Sequence, residues 1–139
     1  MAYASSGHAT PETMKAKFRY TGIRVKNLEA SVAFYTNVLG MKEIGRNTVD
    51  AVKGVVVDLV SEDGGHPLEL NYYGKGSPFE TEYEAGEGLD HLAFKVEDLD
   101  QALADARRAG HPAVNEIKTP TSRWAYIQDP NGIWIELFA

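Results

Sequence analysis

Two stretches of this chain share one build, and that repetition constrains the fold more than any other feature. Phe18 to Leu28 and Gly88 to Leu99 are each a short apolar-rich run, then a capping residue, then a helical pattern. At an offset of 71, Ile23 falls on Phe94, Val25 on Val96, Asn27 on Asp98 and Leu28 on Leu99, and Tyr20 falls on His91. A second pair closes each half. Pro67-Leu68-Glu69-Leu70 matches Trp134-Ile135-Glu136-Leu137 at an offset of 67, which sets Glu69 on Glu136. The chain reads as two copies of one unit, neither able to cover its own apolar face alone.

Composition bounds what such a duplicated unit can do. With 139 residues and 43% apolar content, the chain is ordinary for one globular domain made of two small halves. A formal charge of −6 supplies no basic field, so nucleic acid and anionic membranes are excluded as partners and a small molecule is expected. The absence of cysteine removes disulfides, thiol catalysis and thiolate metal sites together. Any metal must therefore bind His or oxygen ligands. Residues 1–10 lack a basic segment and a sustained apolar run, and no stretch of 18 apolar residues occurs, so the expected location is cytoplasmic.

Along the chain, residues 1–16 read as a flexible tail in which His8 has no assigned role. A first module over about 17–73 begins with a strand from Phe18 to Val25. A helix follows, capped by Asn27, with Leu28, Val32, Tyr35 and Leu39 on its inner stripe and Gly40 ending it. Strands are expected over Met41 to Arg46, Ala51 to Val60 and Pro67 to Tyr73. Residues 74–88, rich in Gly and including Phe79 and Tyr83, read as a linker that also lies over something.

The second module, about 89–139, repeats the order. A strand from Leu89 to Val96 precedes a helix capped by Asp98, with Gln101 at the capping-box position and Gly110 after its end. Strands then run Ala113 to Lys118, Arg123 to Gln128 and Ile133 to Phe138, the last two joined by a tight turn at Asp129-Pro130-Asn131-Gly132. The expected class is α+β, two βαβββ modules forming a curved mixed sheet around a cleft.

Like units pair about a pseudo-twofold axis, so matching positions approach one another in space. In Leu68-Glu69-Leu70 and Ile135-Glu136-Leu137 the apolar residues point to one face and the glutamate to the other. Gathering Glu69 and Glu136 in a partly desolvated cleft is costly unless a cation or shared proton offsets the repulsion. One divalent ion does so and engages His91 as well. An imidazole with two carboxylates suits Mn, Fe, Co or Ni, with Zn also possible. Taken singly, either glutamate reads as an ordinary solvent-face residue and His91 as a hydrogen-bonded core imidazole.

These residues carry a resemblance. The chain resembles the vicinal oxygen chelate superfamily, and within it is similar to glyoxalase I and to glyoxalase/bleomycin-resistance proteins, over about Phe18 to Phe138. The carriers are Arg24-Val25 to Tyr35 with Val38-Leu39-Gly40-Met41, then Leu68-Glu69-Leu70, Asp90-His91-Leu92-Ala93-Phe94, and Asp129-Pro130-Asn131-Gly132 leading into Ile135-Glu136-Leu137. The resemblance implies the glyoxalase/bleomycin resistance/dioxygenase fold, metal ligands at Glu69, His91 and Glu136, and a homodimer. The family's first ligand falls on Tyr20. A phenol with a pKa near 10 is a poor ligand at neutral pH. Either three protein ligands and an extra water complete the site, or Tyr20 binds as phenolate.

The resemblance further implies glyoxalase I chemistry on a thiol adduct such as one of glutathione, with Glu136, or alternatively Glu69, as the catalytic proton carrier. Arg24 matches the position that holds a glutathione carboxylate. Tyr20, Asn71, Tyr73 and Arg123 complete the expected substrate-binding set, Lys75 is a further candidate anchor, and Trp124, Tyr72 and Phe79 are candidates for an apolar wall. The order of Asn71 and Tyr73 and the segment 120–123 depart from the family's pattern, which leaves the identity of the thiol open. Two other readings stand beside this one, an extradiol-type dioxygenase and a metal-free protein that sequesters a drug. His66 and His111, each before a proline, are expected at the surface without a role.

Overall fold

The computed structural model describes Lys15, residues 17–84 and residues 89–139; the tail reading, with His8, and the Gly86 and Gly88 end of the linker lie outside them. Two four-stranded mixed sheets form, each with one α-helix. In the first, β1 (Thr21–Arg24), β2 (Lys42–Val49), β3 (Gly54–Ser61) and β4 (Gly64–Tyr73) are ordered β1-β4-β3-β2, with α1 (Leu28–Ala33) after β1. In the second, β5 (Leu92–Lys95), β6 (Asn115–Lys118), β7 (Arg123–Gln128) and β8 (Trp134–Phe138) are ordered β5-β8-β7-β6, with α2 (Leu99–Arg108) after β5. The two sheets have one topology.

Their registers agree residue by residue. Gly22 of β1 lies opposite Glu69 of β4, and Ala93 of β5 lies opposite Glu136 of β8, so the offsets of 71 and 67 meet in one cross-strand pair in each sheet. Continuing across, Glu69 faces Asp58 and Asp58 faces Gly45, while Glu136 faces Tyr126 and Tyr126 faces Asn115. Position for position, Asp58 is the counterpart of Tyr126.

Local chemistry explains the helices. Asn27 and Asp98 accept hydrogen bonds from the backbone N–H groups of Ala30 and Gln101 at 3.0 and 3.1 Å, as N-cap side chains do. The expected reciprocal bond from Gln101 does not form; its amide donates to Asp105 at 2.9 Å, one turn along. The first helix continues as a π-helical turn over Phe34–Val38, which seats both Phe34 and Tyr35 in the core. Gly40 and Gly110 follow the helical segments at φ +74° and +92°, where a side chain would be strained. Strand β3 starts at Gly54 rather than Ala51, because residues 50–52 form a 3₁₀ turn that Lys53 ends in the left-handed region.

Ile23, Val57, Leu59, Leu68 and Leu70 from the first sheet and Ala125, Ile127, Ile135 and Leu137 from the second belong to one buried core. A polar knot ties the modules together beside it. Buried Asp129 accepts from the Tyr35 hydroxyl at 2.9 Å, and Asn131 donates to Ser31 and accepts from the Lys26 N–H. His111 is half-buried rather than at the surface, since its Nδ1 meets the Gln128 carbonyl at 2.9 Å and its ring packs edge-on against Phe34. Among the described residues, no helix is long and apolar enough to cross a membrane.

Candidate metal and substrate site

Strand alternation delivers the second module's half of the site. Ile135 and Leu137 are buried in the core, which turns Glu136 to the other face of β8. His91, just before β5, comes to it from the neighbouring strand, with its Nε2 at 3.7 Å from Glu136 Oε1. The other ring nitrogen, Nδ1, lies 2.5 Å from Asp90 Oδ2. An ionised carboxylate only accepts, so a neutral ring carries its proton on Nδ1 and presents a lone pair at Nε2. Two electron-rich atoms then face each other across a gap wider than a hydrogen bond. A cation between them resolves that opposition, and a carboxylate behind the distal nitrogen is the usual support of a metal-binding imidazole.

The first module presents its half by the same parity. Leu68 and Leu70 are buried, so Glu69 and Asn71 share the opposite face. Glu69 stands directly across from Asp58, and its pKa is raised, first by desolvation and then by the Asp58 charge, against a hydrogen bond from Asn71 that lowers it. Gly22 beside it leaves little room, since an added Cβ would come within 3.1 Å of the Asn71 amide and 3.9 Å of Glu69 Oε1. Carboxylates opposed across a strand pair destabilise the apoprotein, and a divalent ion is the kind of partner that offsets this. The donor set of the two halves therefore fits such an ion.

Within one chain the halves stay apart. Among the described residues no three His, Asp or Glu side chains converge closely enough to hold a metal, so His91 and Glu136 meet but Glu69 does not join them. Tyr20 is half-exposed just before β1. A cleft of about 1030 Å³ runs from Gly22, Arg24 and Tyr83 to Trp124, Tyr126 and Trp134, with Asp90 on its wall; His91 and Glu136 do not line it but each contacts a residue that does, Asp90 and Tyr126.

The remaining sequence candidates divide. Arg24 faces the cleft, but its guanidinium donates to Thr81 Oγ1 at 2.9 Å and to the Thr81 carbonyl at 2.8 Å, under the linker. Tyr83 completes this strap, with Arg24 and Lys26 lying 5.6 and 5.2 Å from its ring centre. Burial raises the Tyr83 hydroxyl's pKa, Asp129 adds to this and Arg24 opposes it. Trp124 lines the cleft as expected. Tyr72 packs on the core instead, and Tyr73 and Phe79 lie against each other at 5.4 Å, with Phe79 exposed. Lys75 is exposed on the linker.

Arg123, expected in the substrate set, stands apart from this cleft. Trp124 and Tyr126 of β7 face the cleft, so Arg123 points the other way, where it pairs with Asp100 at 2.6 Å and Glu116 at 3.6 Å. Tyr126 is the residue that sequence reasoning missed. Its hydroxyl donates to Glu136 Oε1 at 3.2 Å, its ring meets His91 edge-on at 5.7 Å, and it leans on Trp134 at 5.2 Å.

Residues 17–137 match the family described as the Glyoxalase/Bleomycin resistance protein/Dioxygenase superfamily. The lactoylglutathione lyase of Neisseria meningitidis serogroup B is 34% identical over 123 residues, covering 84% of this chain and 86% of that protein. A probable lactoylglutathione lyase of Vibrio parahaemolyticus is 32% identical over 85% of this chain and 86% of its own length. Among solved structures, the trypanothione-dependent glyoxalase I of Leishmania major matches with a TM-score of 0.73 at 32% identity, covering 89% of this chain and 86% of that one. The named relatives are enzymes, and the structural neighbour shares the paired-module fold.

Proposed function

The chain belongs to the Glyoxalase/Bleomycin resistance protein/Dioxygenase superfamily, and from that premise we propose that it is a glyoxalase I-like lyase, dependent on one divalent ion, acting on the thiol adduct of a 2-oxoaldehyde. The observation that carries this reading is the approach of His91 Nε2 to Glu136 Oε1 with Asp90 fixing the ring, a half-formed ligand set whose repeat-related partner is Glu69. Glu69, His91 and Glu136 would hold the ion. The ion is one of Ni, Co, Mn, Fe and Zn, each of which accepts imidazole and carboxylate ligands. When bound, the ion supplies Lewis acidity to two adjacent substrate oxygens and so acidifies the neighbouring C–H.

The protein's own groups then move protons. Glu136 takes one from the carbon that bears sulfur and returns it to the adjacent carbon, while the hydroxyl proton passes to the neighbouring oxygen, so a hemithioacetal becomes a 2-hydroxy thioester with no atom gained or lost. Glu69 is the alternative carrier. Arg24 anchors an anionic tail of the thiol, with Tyr20, Asn71 and Tyr73 on the first module's side. Because the chain alone separates Glu69 from His91 and Glu136, the reading includes a homodimer in which the halves of each site come from two copies. It also implies a cytoplasmic enzyme, because the co-substrate is a reduced thiol.

A dioxygenase reading is disfavoured by the single imidazole, since non-haem iron oxygenases present two histidines and one carboxylate. The aromatic wall of Trp124, Tyr126 and Trp134 favours one second reading, a metal-free protein that sequesters an aromatic molecule. Metal analysis of protein purified without chelator separates the two. About one equivalent per chain, lost in His91→Ala together with turnover of a panel of 2-oxoaldehyde adducts of glutathione, trypanothione and simpler thiols, supports the lyase. Full occupancy of the cleft by aromatic ligands in protein that takes up no ion overturns it.

A further inference from the structure

We propose that Tyr126 is a positioning residue that fixes the Glu136 carboxylate, through a one-way hydrogen-bond chain that starts at Trp124. Trp124 Nε1 donates to the Tyr126 hydroxyl at 3.3 Å, and that hydroxyl donates to Glu136 Oε1 at 3.2 Å. The direction follows from the groups. An indole N–H only donates, so the hydroxyl receives it on oxygen and must send its own proton elsewhere, and the carboxylate is the acceptor within reach. Tyr126 cannot swing to a different partner cheaply, because His91 meets its ring edge-on and Trp134 leans on it from another side.

Oε1 is also the carboxylate oxygen that faces His91 Nε2. The phenol thus holds the oxygen that stands beside the imidazole, and rotation of the carboxylate would break that bond. The first module lacks this device. At the matching place across from Glu69 stands Asp58, which offers a charge where Tyr126 offers a donor. The repeat therefore yields two unlike glutamates, Glu136 held by a donor on the neighbouring strand and Glu69 facing a charge there, with its donor, Asn71, on its own strand. A metal ligand oriented by a neighbouring donor binds more tightly, and removing such a donor weakens ion affinity about 10- to 100-fold.

This inference rests on the metal-dependent reading, and one experiment keeps the two separable. Ion affinity of the full-length protein is measured by competition with a chelator, for wild type, Tyr126→Phe and Trp124→Phe, beside steady-state kinetics and thermal unfolding. Tyr126→Phe keeps the ring and loses the hydroxyl. It is expected to bind the ion about tenfold or more weakly and to lower kcat while KM stays within about threefold, with an unchanged melting temperature. Trp124→Phe frees the hydroxyl's direction and should shift the same quantities the same way by less. A wild type that takes up no ion sinks the functional reading and this inference with it. A wild type that binds the ion, beside a Tyr126→Phe protein of equal affinity, overturns the inference alone.

Discussion

The Tyr35 hydroxyl donates to Asp129 across 94 residues of sequence, at 2.9 Å, joining the helical end of the first module to the last turn of the second. The Asp129 carboxylate also accepts from the Asn131 side chain and from the backbone N–H groups of Asn131 and Ile133. Burial, and then the facing carboxylate, push the Tyr35 hydroxyl well above the usual tyrosine range, so it donates at every accessible pH. Tyr35→Phe leaves the ring and withdraws one donor from a buried anion. The expected loss is about 1–3 kcal/mol, read as a lower urea midpoint with an unchanged m-value.

Glu69 gives a stability signature that runs against the usual behaviour of carboxylates. Its pKa is raised by desolvation and by Asp58, so the folded state favours its protonated form more than the unfolded chain does. The stabilisation that follows is present below the unfolded carboxylate value of about 4.3 and is lost as pH rises through the folded value. In metal-free protein at pH 7, Glu69→Gln should therefore melt higher than wild type, by an amount that shrinks as the pH is lowered towards 4. Asp58→Asn should raise the melting point in the same direction by removing the facing charge. A Glu69→Gln protein that melts lower than wild type at pH 7 would falsify the assignment of unfavourable charge to this pair.

How much of this was legible beforehand depends on the range of the interaction involved. The repeat made the two sheets correspond position for position, although the register they share is seen only in the structure, and both helix caps follow from a side chain three residues from its target. The placing of Arg123 was legible: Ala125 and Ile127 are the apolar positions of β7, and their parity assigns Arg123 to the face away from the cleft. The bond from Arg24 to Thr81 and the Tyr35 to Asp129 bond join residues 57 and 94 apart, and no local pattern announces them. Tyr126 was hidden because an aromatic on a strand reads as packing until its cross-strand neighbour is known to be Glu136.

Arg24 is held by the linker in the free protein, so an anionic substrate must compete with Thr81 for its guanidinium. Removing the cation removes binding that is shared by substrate and transition state. Arg24→Ala should raise KM for a carboxylate-bearing thiol adduct about tenfold or more, in keeping with a charge-assisted hydrogen bond, and leave kcat nearly unchanged. Thr81→Val deletes one acceptor of the strap and should lower KM for the same adduct. Neither change should affect an adduct of an uncharged thiol. Steady-state kinetics on a charged and an uncharged adduct decide it, and equal effects on both would remove Arg24 from this role.

The separation of Glu69 from His91 and Glu136 within one chain leads to a test by mixing. If each site takes Glu69 from one copy and His91 with Glu136 from the other, Glu69→Gln and His91→Ala each damage both sites of their own homodimer. A heterodimer of the two variants contains one doubly damaged site and one site built entirely from native residues. After unfolding and refolding together at equal amounts, random pairing makes half of the dimers mixed, so about one quarter of the wild-type activity should return. The Glu69→Gln and Glu136→Gln pair should behave alike, whereas His91→Ala with Glu136→Gln should recover nothing, because both lie in the same half. Recovery in that last mixture, or none in the first, would show that the site is not divided between copies along the module boundary.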